Sequence, residues 1–252
     1  MVSVCMATYN GEQFIKSQID SILSQLKSYD ELIISDDGSQ DSTISIIESY
    51  NDERIKLYHN KDNSGRPTEN FQNALYRAKG NIIFLADQDD IWLEKKYLRM
   101  LQLLSNYDLV ISDSILVDEN LNELQNSFFR FHGSKKGVIK NALNNSYFGS
   151  CMAFRNTVLN YALPFPKTRE IGHDIWIGLV AEMVGKVHFL PEPLILYRRH
   201  AQAVTAHGIG KSRRGLLTKI WSRFIVLKYV SLFYIKHLLN DTRTSFHNNT
   251  NV

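Results

Sequence analysis

The chain has 252 residues, 44% of them hydrophobic, which suffices for the core of one large α/β domain. Lys plus Arg number 29 against 26 Asp plus Glu, and the resulting net charge of +3 gives no electrostatic case for nucleic-acid binding. No run of about 18 or more uninterrupted apolar residues offers a clear membrane span.

Val2 to Ala7 (V-S-V-C-M-A) reads as a buried strand. Cys5 falls inside it, so Cys5 and Cys151 are expected as free thiols in a reducing compartment. The chain starts directly on this strand pattern, without the basic start and cleavage site of a signal peptide, and a cytoplasmic protein is expected. Thr8-Tyr9-Asn10-Gly11 then turns into a helix over Glu12 to Leu26. Glu31 to Ser35 is a second strand, running into Asp36-Asp37-Gly38-Ser39, with Asp41 or Ser42 capping the next helix. Ile55 to His59 is a third strand, Asn60 to Arg66 a polar loop, and Glu69 to Lys79 a helix ended by Gly80. Ile82 to Ala86 is a fourth strand, short, apolar and buried. The β-α-β-α-β-α-β order predicts a mostly parallel sheet with helices on both faces. Polar clusters follow the first, second and fourth strands, so they should gather along one edge, where ligands bind in open α/β sheets.

The fourth strand ends in Asp87, Asp89 and Asp90. Three carboxylates at a buried strand end repel one another, and desolvation raises their pKa values unless a cation neutralises them. A hard divalent ion, Mg²⁺ or Mn²⁺, answers that need, and Mg²⁺ commonly brings substrate phosphates as further ligands. The plainer alternative is a solvated acidic loop with Asp90 as the N-cap of a helix starting near Leu93.

Beyond this point Asp108 to Ser112 and Ile115 to Val117 read as two strands, and Asp118 to Gln125 as a polar turn. Phe128, Phe129 and Phe131 crowd a basic, glycine-punctuated stretch ending at Gly137. A helix starts at Gly172-His173-Asp174 with Trp176, Leu179, Val180 and Met183 on its buried side. Val187 to Leu190 and Leu194 to Tyr197 are short strands around Pro191 and Pro193. Residues 201 to 215 suggest a flexible loop. Leu216 to Leu239 mixes basic, aromatic and aliphatic residues as a helix suited to a membrane interface, to packing on the domain or to a homodimer contact. Asp241 to Val252 reads as a frayed polar tail.

Several of these motifs carry a resemblance. A-T-Y-N-G at 7–11, S-D-D-G-S-Q-D at 35–41, N-S-G at 63–65 and A-D-Q-D-D-I-W at 86–92 resemble family 2 glycosyltransferases, as do G-S-C-M-A-F at 149–154, G-H-D-I-W at 172–176 and Y-R-R-H at 197–200. The resemblance implies the Rossmann-like nucleotide-diphospho-sugar transferase (GT-A) fold over 1–200. Residues 1–112 would form the nucleotide-sugar half and 113–200 the acceptor half, with 201–252 as loop and C-terminal helix. It implies that Thr8, Tyr9, Asn10, Asp36 and Asp37 line the nucleotide pocket and that Asp87 and Asp89 flank Mg²⁺ or Mn²⁺. Asp174 would be the general base, Arg198 would balance diphosphate charge, and His200 would serve as a further metal or phosphate ligand. Many members carry Ala-Arg-Asn on the helix before the metal strand; here that region is E-N-F-Q-N at 69–73, and Asn70 is assigned part of the missing arginine's role. D-Q-D-D-I-W resembles the rhamnosyltransferase subgroup, which builds bacterial surface polysaccharides. The expected activity is thus inverting transfer of rhamnose or a hexose from a nucleotide-diphosphate donor to a glycan or lipid-linked glycan acceptor. The enzyme would work in the cytoplasm or on the inner face of the plasma membrane. Two other readings compete: a catalytically silent nucleotide-sugar-binding protein, and a phosphohydrolase using Asp-x-Asp. The second wants Asp-x-Asp-x-Thr/Val after an N-terminal strand, whereas Asp90 and Ile91 follow Asp89 late in the chain.

Overall fold

The computed structural model describes residues 1–60, 63–200 and 215–248. Among these residues nine strands form one sheet: β1 Val2–Thr8, β2 Glu31–Asp36, β3 Ile55–His59, β4 Ile82–Asp87, β5 Ile91–Trp92, β6 Leu109–Val117, β7 Glu123–Gln125, β8 Met152–Arg155 and β9 Val187–Arg198. The spatial order is β3-β2-β1-β4-β8-β6-β9-β5, with β7 beside β6. β1 to β4 are mutually parallel, and β8 runs antiparallel to both β4 and β6. β6 therefore points the same way as β4, and β9 follows it in parallel. Most strands thus share one direction, as the βαβ order predicts.

Among the described residues nine α-helices accompany the strands: α1 Ile15–Leu23, α2 Thr43–Glu48, α3 Pro67–Leu75, α4 Lys96–Leu104, α5 Phe128–His132, α6 Val138–Leu143, α7 Leu159–Ala162, α8 His173–Val184 and α9 Leu216–Asn248. Burial follows their periodicity. Ile15, Ile19 and Ile22 of α1, Phe71, Ala74 and Leu75 of α3, and Tyr97, Met100 and Leu104 of α4 are buried in the same core as the central strands. Each such side chain is worth about 1.5–3 kcal/mol relative to exposure. Cys5 and Cys151 are both buried and free.

Several expected boundaries move, each for a local reason. α1 begins at Ile15 rather than Glu12, because Glu12 is held in a loop: its N–H donates to Asp41 Oδ2 (3.1 Å) and its carboxylate accepts from Ser42 N–H (2.9 Å). α3 starts on Pro67, whose fixed φ suits a first helical position, and stops at Leu75. The two strands expected at 108–117 are one, β6. Asp113 Oδ1 accepts from the N–H of Ser114 and of Phe129 (both 2.8 Å), stitching the irregular register rather than breaking the strand. β9 likewise runs unbroken through Pro191 and Pro193, with register shifts against β6 near them. The polar stretch 118–125 includes β7, and the aromatic segment forms α5, capped by Ser127 Oγ accepting from Arg130 N–H (3.2 Å). Asp90 caps no helix: α4 starts at Lys96, after Lys95 at φ 71°. α9 continues to Asn248, so most of the expected frayed tail is helical, and 249–252 lie outside the described residues. The loop expected at 201–215 lies outside them too, except Gly215. The boundary drawn at 112/113 falls within β6, so both halves share the sheet.

Candidate active site

Strand register brings the first, second and fourth strands to a common edge. Thr8 pairs with Asp36, and Ala7 with Asp87. Asp36 closes its own loop: Oδ1 accepts from Gly38 and Ser39 N–H (2.9 and 2.8 Å), and Oδ2 accepts from Thr8 Oγ1 and Ser39 Oγ (2.9 and 2.5 Å). Asp37 is buried and holds the 63–65 turn, accepting from Ser64 and Gly65 N–H (2.9 and 2.8 Å) and from Asn60 Nδ2 (3.1 Å). Asn70 spends both side-chain atoms on protein, donating to Thr8 O (3.0 Å) and accepting from Asn60 Nδ2 (3.0 Å). These carboxylates and amides fix the walls of the edge. Tyr9 stands half-exposed at it, and Asn10, at φ 46°, bridges to the second loop by donating to Ser39 Oγ (2.9 Å) and accepting from Gln40 N–H (2.8 Å).

The residue between the two candidate metal carboxylates is also structural. Gln88 Oε1 accepts from Tyr9 N–H (2.9 Å) and its Nε2 donates to Tyr9 O (3.0 Å). A β-carbon on Gly11 would lie 2.4 Å from that Oε1, so Gly11 leaves the room the clamp needs. Sequence reading missed Gln88, and the signal was its place inside D-Q-D-D.

Past β4 the carboxylates are crowded. Burial, then the charges of Asp89 and Asp174, push Asp87 up to about 7, opposed by Lys96 and Ser150. Asp90 is fully buried and raised well above the carboxylate range by burial and by Asp89 and Asp87. One of its oxygens accepts from Arg198 N–H (2.9 Å), and among the described residues the other has no hydrogen bond of normal geometry. Lys96, fully buried beneath them, donates to Ser150 O (2.5 Å), and burial lowers its pKa to about 8. Lys96 was not singled out in the sequence, where K-K after D-D-I-W-L-E looks like a solvated pair. Asp89 Oδ2 meets His200 Nε2 at 2.7 Å. Arg198 is buried, donates to Asp89 O (2.8 Å) and Glu119 O (2.6 Å), and lies over the Phe14 ring at 4.5 Å.

Asp174 approaches from α8. Burial raises its carboxyl to about 6, and Oδ1 accepts from Ile175 N–H (2.7 Å). Beside it His173 stacks on Phe71 with ring centroids 3.9 Å apart, and burial lowers its pKa to about 3. A β-carbon on Gly149 would lie 2.9 Å from His173 Nε2 and 3.8 Å from Asp174 Cβ, so the 149–151 turn abuts the start of α8. The structure thus brings Asp87, Asp89, Asp174, Arg198 and His200 into one region, while Asp36, Asp37 and Asn70 serve the loops behind Thr8, Tyr9 and Asn10.

The donor set fits a hard divalent ion. Carboxylate oxygens predominate, and the upward shift of Asp87 is the strain a cation would relieve. Among the described residues no three His, Cys, Asp or Glu form a ready-made metal cluster, and His200 faces Asp89, so Asp87, Asp89 and His200 are not a preformed three-ligand cage. An ion held by one or two carboxylates and completed by phosphate oxygens and water is the arrangement Mg²⁺ favours.

The chain is 26% identical over 191 residues to the Escherichia coli UDP-Glc:alpha-D-GlcNAc-diphosphoundecaprenol beta-1,3-glucosyltransferase WfgD, covering 72% of this chain and 70% of that protein. It is 28% identical over 195 residues to the putative teichuronic acid biosynthesis glycosyltransferase TuaG of Bacillus subtilis, covering 71% and 72%. In fold it is similar to S. aureus TarS 1-349 in complex with UDP-GlcNAc (TM-score 0.70, 18% identity, 92% of this chain), of which it spans 66%. It is also similar to the mannosyltransferase PcManGT from Pyrobaculum calidifontis in complex with GDP-Man and Mn²⁺ (TM-score 0.58, 21% identity, 82% of this chain and 58% of that one). The family model for glycosyl transferase family 2 matches residues 3–162, more than half of the sequence. The chain belongs to glycosyl transferase family 2.

Proposed function

We propose that the chain is an inverting glycosyltransferase that moves a sugar from a nucleotide-diphosphate donor to a hydroxyl of a glycan or lipid-linked glycan in bacterial surface polysaccharide synthesis. The observation that carries this reading is the meeting of Asp87 and Asp89, at the end of β4, with the raised carboxyl of Asp174 at the start of α8. Residues 1–112 supply the donor side. Tyr9 and Asn10 border the nucleotide, and Thr8, Asp36, Asp37 and Asn70 hold the loops around it. Asp87 and Asp89 would hold Mg²⁺ or Mn²⁺, and such an ion, when bound, would stabilise charge on the leaving nucleoside diphosphate. His200 orients Asp89, and Arg198 adds positive charge beside it.

Residues 113–200 form the acceptor side. Asp174, ionised above about pH 6, takes the proton of the acceptor hydroxyl as its oxygen bonds to the anomeric carbon. The bond from that carbon to the diphosphate oxygen breaks on the opposite face, and the electron pair leaves with the diphosphate. One displacement inverts the centre, and no covalent nucleophile is required. A hexose donor is supported by the UDP-Glc, UDP-GlcNAc and GDP-Man named with the similar proteins, and rhamnose rests on D-Q-D-D-I-W alone. WfgD's diphosphoundecaprenol acceptor supports a lipid-linked acceptor here, and with it a place at the inner face of the plasma membrane.

Calorimetric titration of UDP, GDP and dTDP with Mn²⁺, Mg²⁺ or chelator tests the donor site. Binding of one nucleotide that needs metal and is lost in Asp89→Ala is expected. Metal-independent binding, or none, contradicts the site.

A further inference from the structure

α9 has two faces. Val226 and Val230 are buried in the domain core, and Trp176 of α8 meets Tyr229 and Phe233 edge-on, with centroids 6.3 and 5.9 Å away. On the outward side Leu217, Trp221, Phe224 and Ile235 follow one another at helical spacing, and each is more than half exposed. Leu232 borders the same stripe at 52% exposure, and Lys228 stands exposed in the middle of it. Exposed apolar side chains grouped in this way, parted by Lys228 and Ser231 between Phe224 and Ile235, mark an interaction surface.

The charges select the partner. No Asp or Glu occurs between Gly215 and Asp241, whereas Lys219, Arg223, Lys228 and Lys236 do. Exposed Ile139 and Leu143 of α6 adjoin the strip, because Arg223 Nε donates to Leu143 O (2.9 Å), and Lys135, Lys136 and Lys140 flank them. A second copy docked on this face by two-fold symmetry would set lysine against lysine across an apolar contact, with no carboxylate in 216–240 to pair. An anionic lipid surface meets both features: acyl chains take the apolar strip, and headgroup phosphates take the lysines, whose stems reach outward from it. No described helix is long and apolar enough to cross a membrane.

We infer that the outer face of α9, with α6 beside it, seats the protein on an anionic lipid bilayer, lying in the interface rather than spanning it. This deepens the acceptor reading by naming the surface that would hold the enzyme where a lipid-linked acceptor lies.

The test is co-sedimentation of the full chain with phosphatidylcholine vesicles and with vesicles also containing phosphatidylglycerol. Binding to the anionic vesicles that weakens with salt is expected, falling at least ~10-fold in Trp221→Ser/Phe224→Ser and more modestly in Lys228→Glu. Light scattering should show the same mass for the wild type and the double variant. No anionic-vesicle binding, or binding indifferent to both variants, overturns the inference. So does a stable dimer that Trp221→Ser/Phe224→Ser dissociates, because the face would then belong to a second copy. Nucleotide titration of the same samples reports the donor site separately, so failure of the lipid surface and failure of the transferase reading give different results.

Discussion

Gln88 grips the Tyr9 backbone on both sides of its α-carbon, accepting from the N–H at 2.9 Å and donating to the carbonyl at 3.0 Å. The side chain between Asp87 and Asp89 thereby ties the candidate metal carboxylates to the loop that borders the nucleotide. Each of the two bonds is worth about 0.5–1.5 kcal/mol, so Gln88→Ala should weaken nucleotide binding roughly 5- to 150-fold while leaving the fold intact. Gly11→Ala should weaken it similarly, because the new methyl displaces Gln88. Since both act through one clamp, the double variant should be little worse than either alone. Additive losses, read by nucleotide titration, would show that Gly11 and Gln88 act separately.

Lys96 is the buried cation beneath the carboxylates. Lys96→Met removes the donor to Ser150 O and the positive charge that opposes the upward shift of Asp87. Removing one member of a buried charge cluster costs about 3–5 kcal/mol, visible as a lower unfolding midpoint. Adding Asp87→Asn should recover part of that loss. If Lys96→Met unfolds at the wild-type midpoint, the cluster does not depend on this lysine.

Much of this was legible in the sequence, and what was not has physical causes. β1, β2 and β4 are short apolar runs ending in polar residues, so their existence and their common edge could be read from pattern. Asp36 and Asp37 read as ligand groups, and the sequence did not show that they also hold their own loops, accepting from Thr8, Ser39, Ser64 and Gly65, because a loop-closing carboxylate and a ligand-binding one carry the same letter. Lys96 and Gln88 were invisible because their partners, Ser150 and Tyr9, lie 54 and 79 residues away in the chain. β9 hid behind Pro191 and Pro193, whose register shifts arise from pairing with β6 and not from local preference.

Asp174 sets a pH dependence for turnover. With its carboxyl raised to about 6, the fraction able to accept a proton rises as pH passes upward through that value. The turnover rate under saturating donor should climb across this range and level above it. Asp174→Asn should lose about 10²–10⁴-fold in rate while binding nucleotide normally. A flat profile, or equal loss of binding and rate, would point to another base.

Asp87 makes the metal-free protein less stable as pH rises. Its folded pKa, about 7, lies above the unfolded value, so between roughly pH 4 and 7 the folded state holds the extra proton. Unfolding then releases that proton, and stability falls with rising pH through this window. In chelator, Asp87→Asn should therefore melt above the wild type at pH 8 and lose that advantage by pH 4. A lower midpoint for Asp87→Asn at pH 8 would mean that the charged form is already compensated by the protein.

The most direct test of the transferase account is release of nucleoside diphosphate from a panel of nucleotide-sugars with Mg²⁺, Mn²⁺ or chelator, comparing wild type, Asp89→Ala and Asp174→Asn. The account predicts release from one donor, needing metal and both carboxylates, and fastest with a glycan or lipid-linked glycan acceptor present. Release that continues in chelator, or that survives loss of both carboxylates, would contradict it.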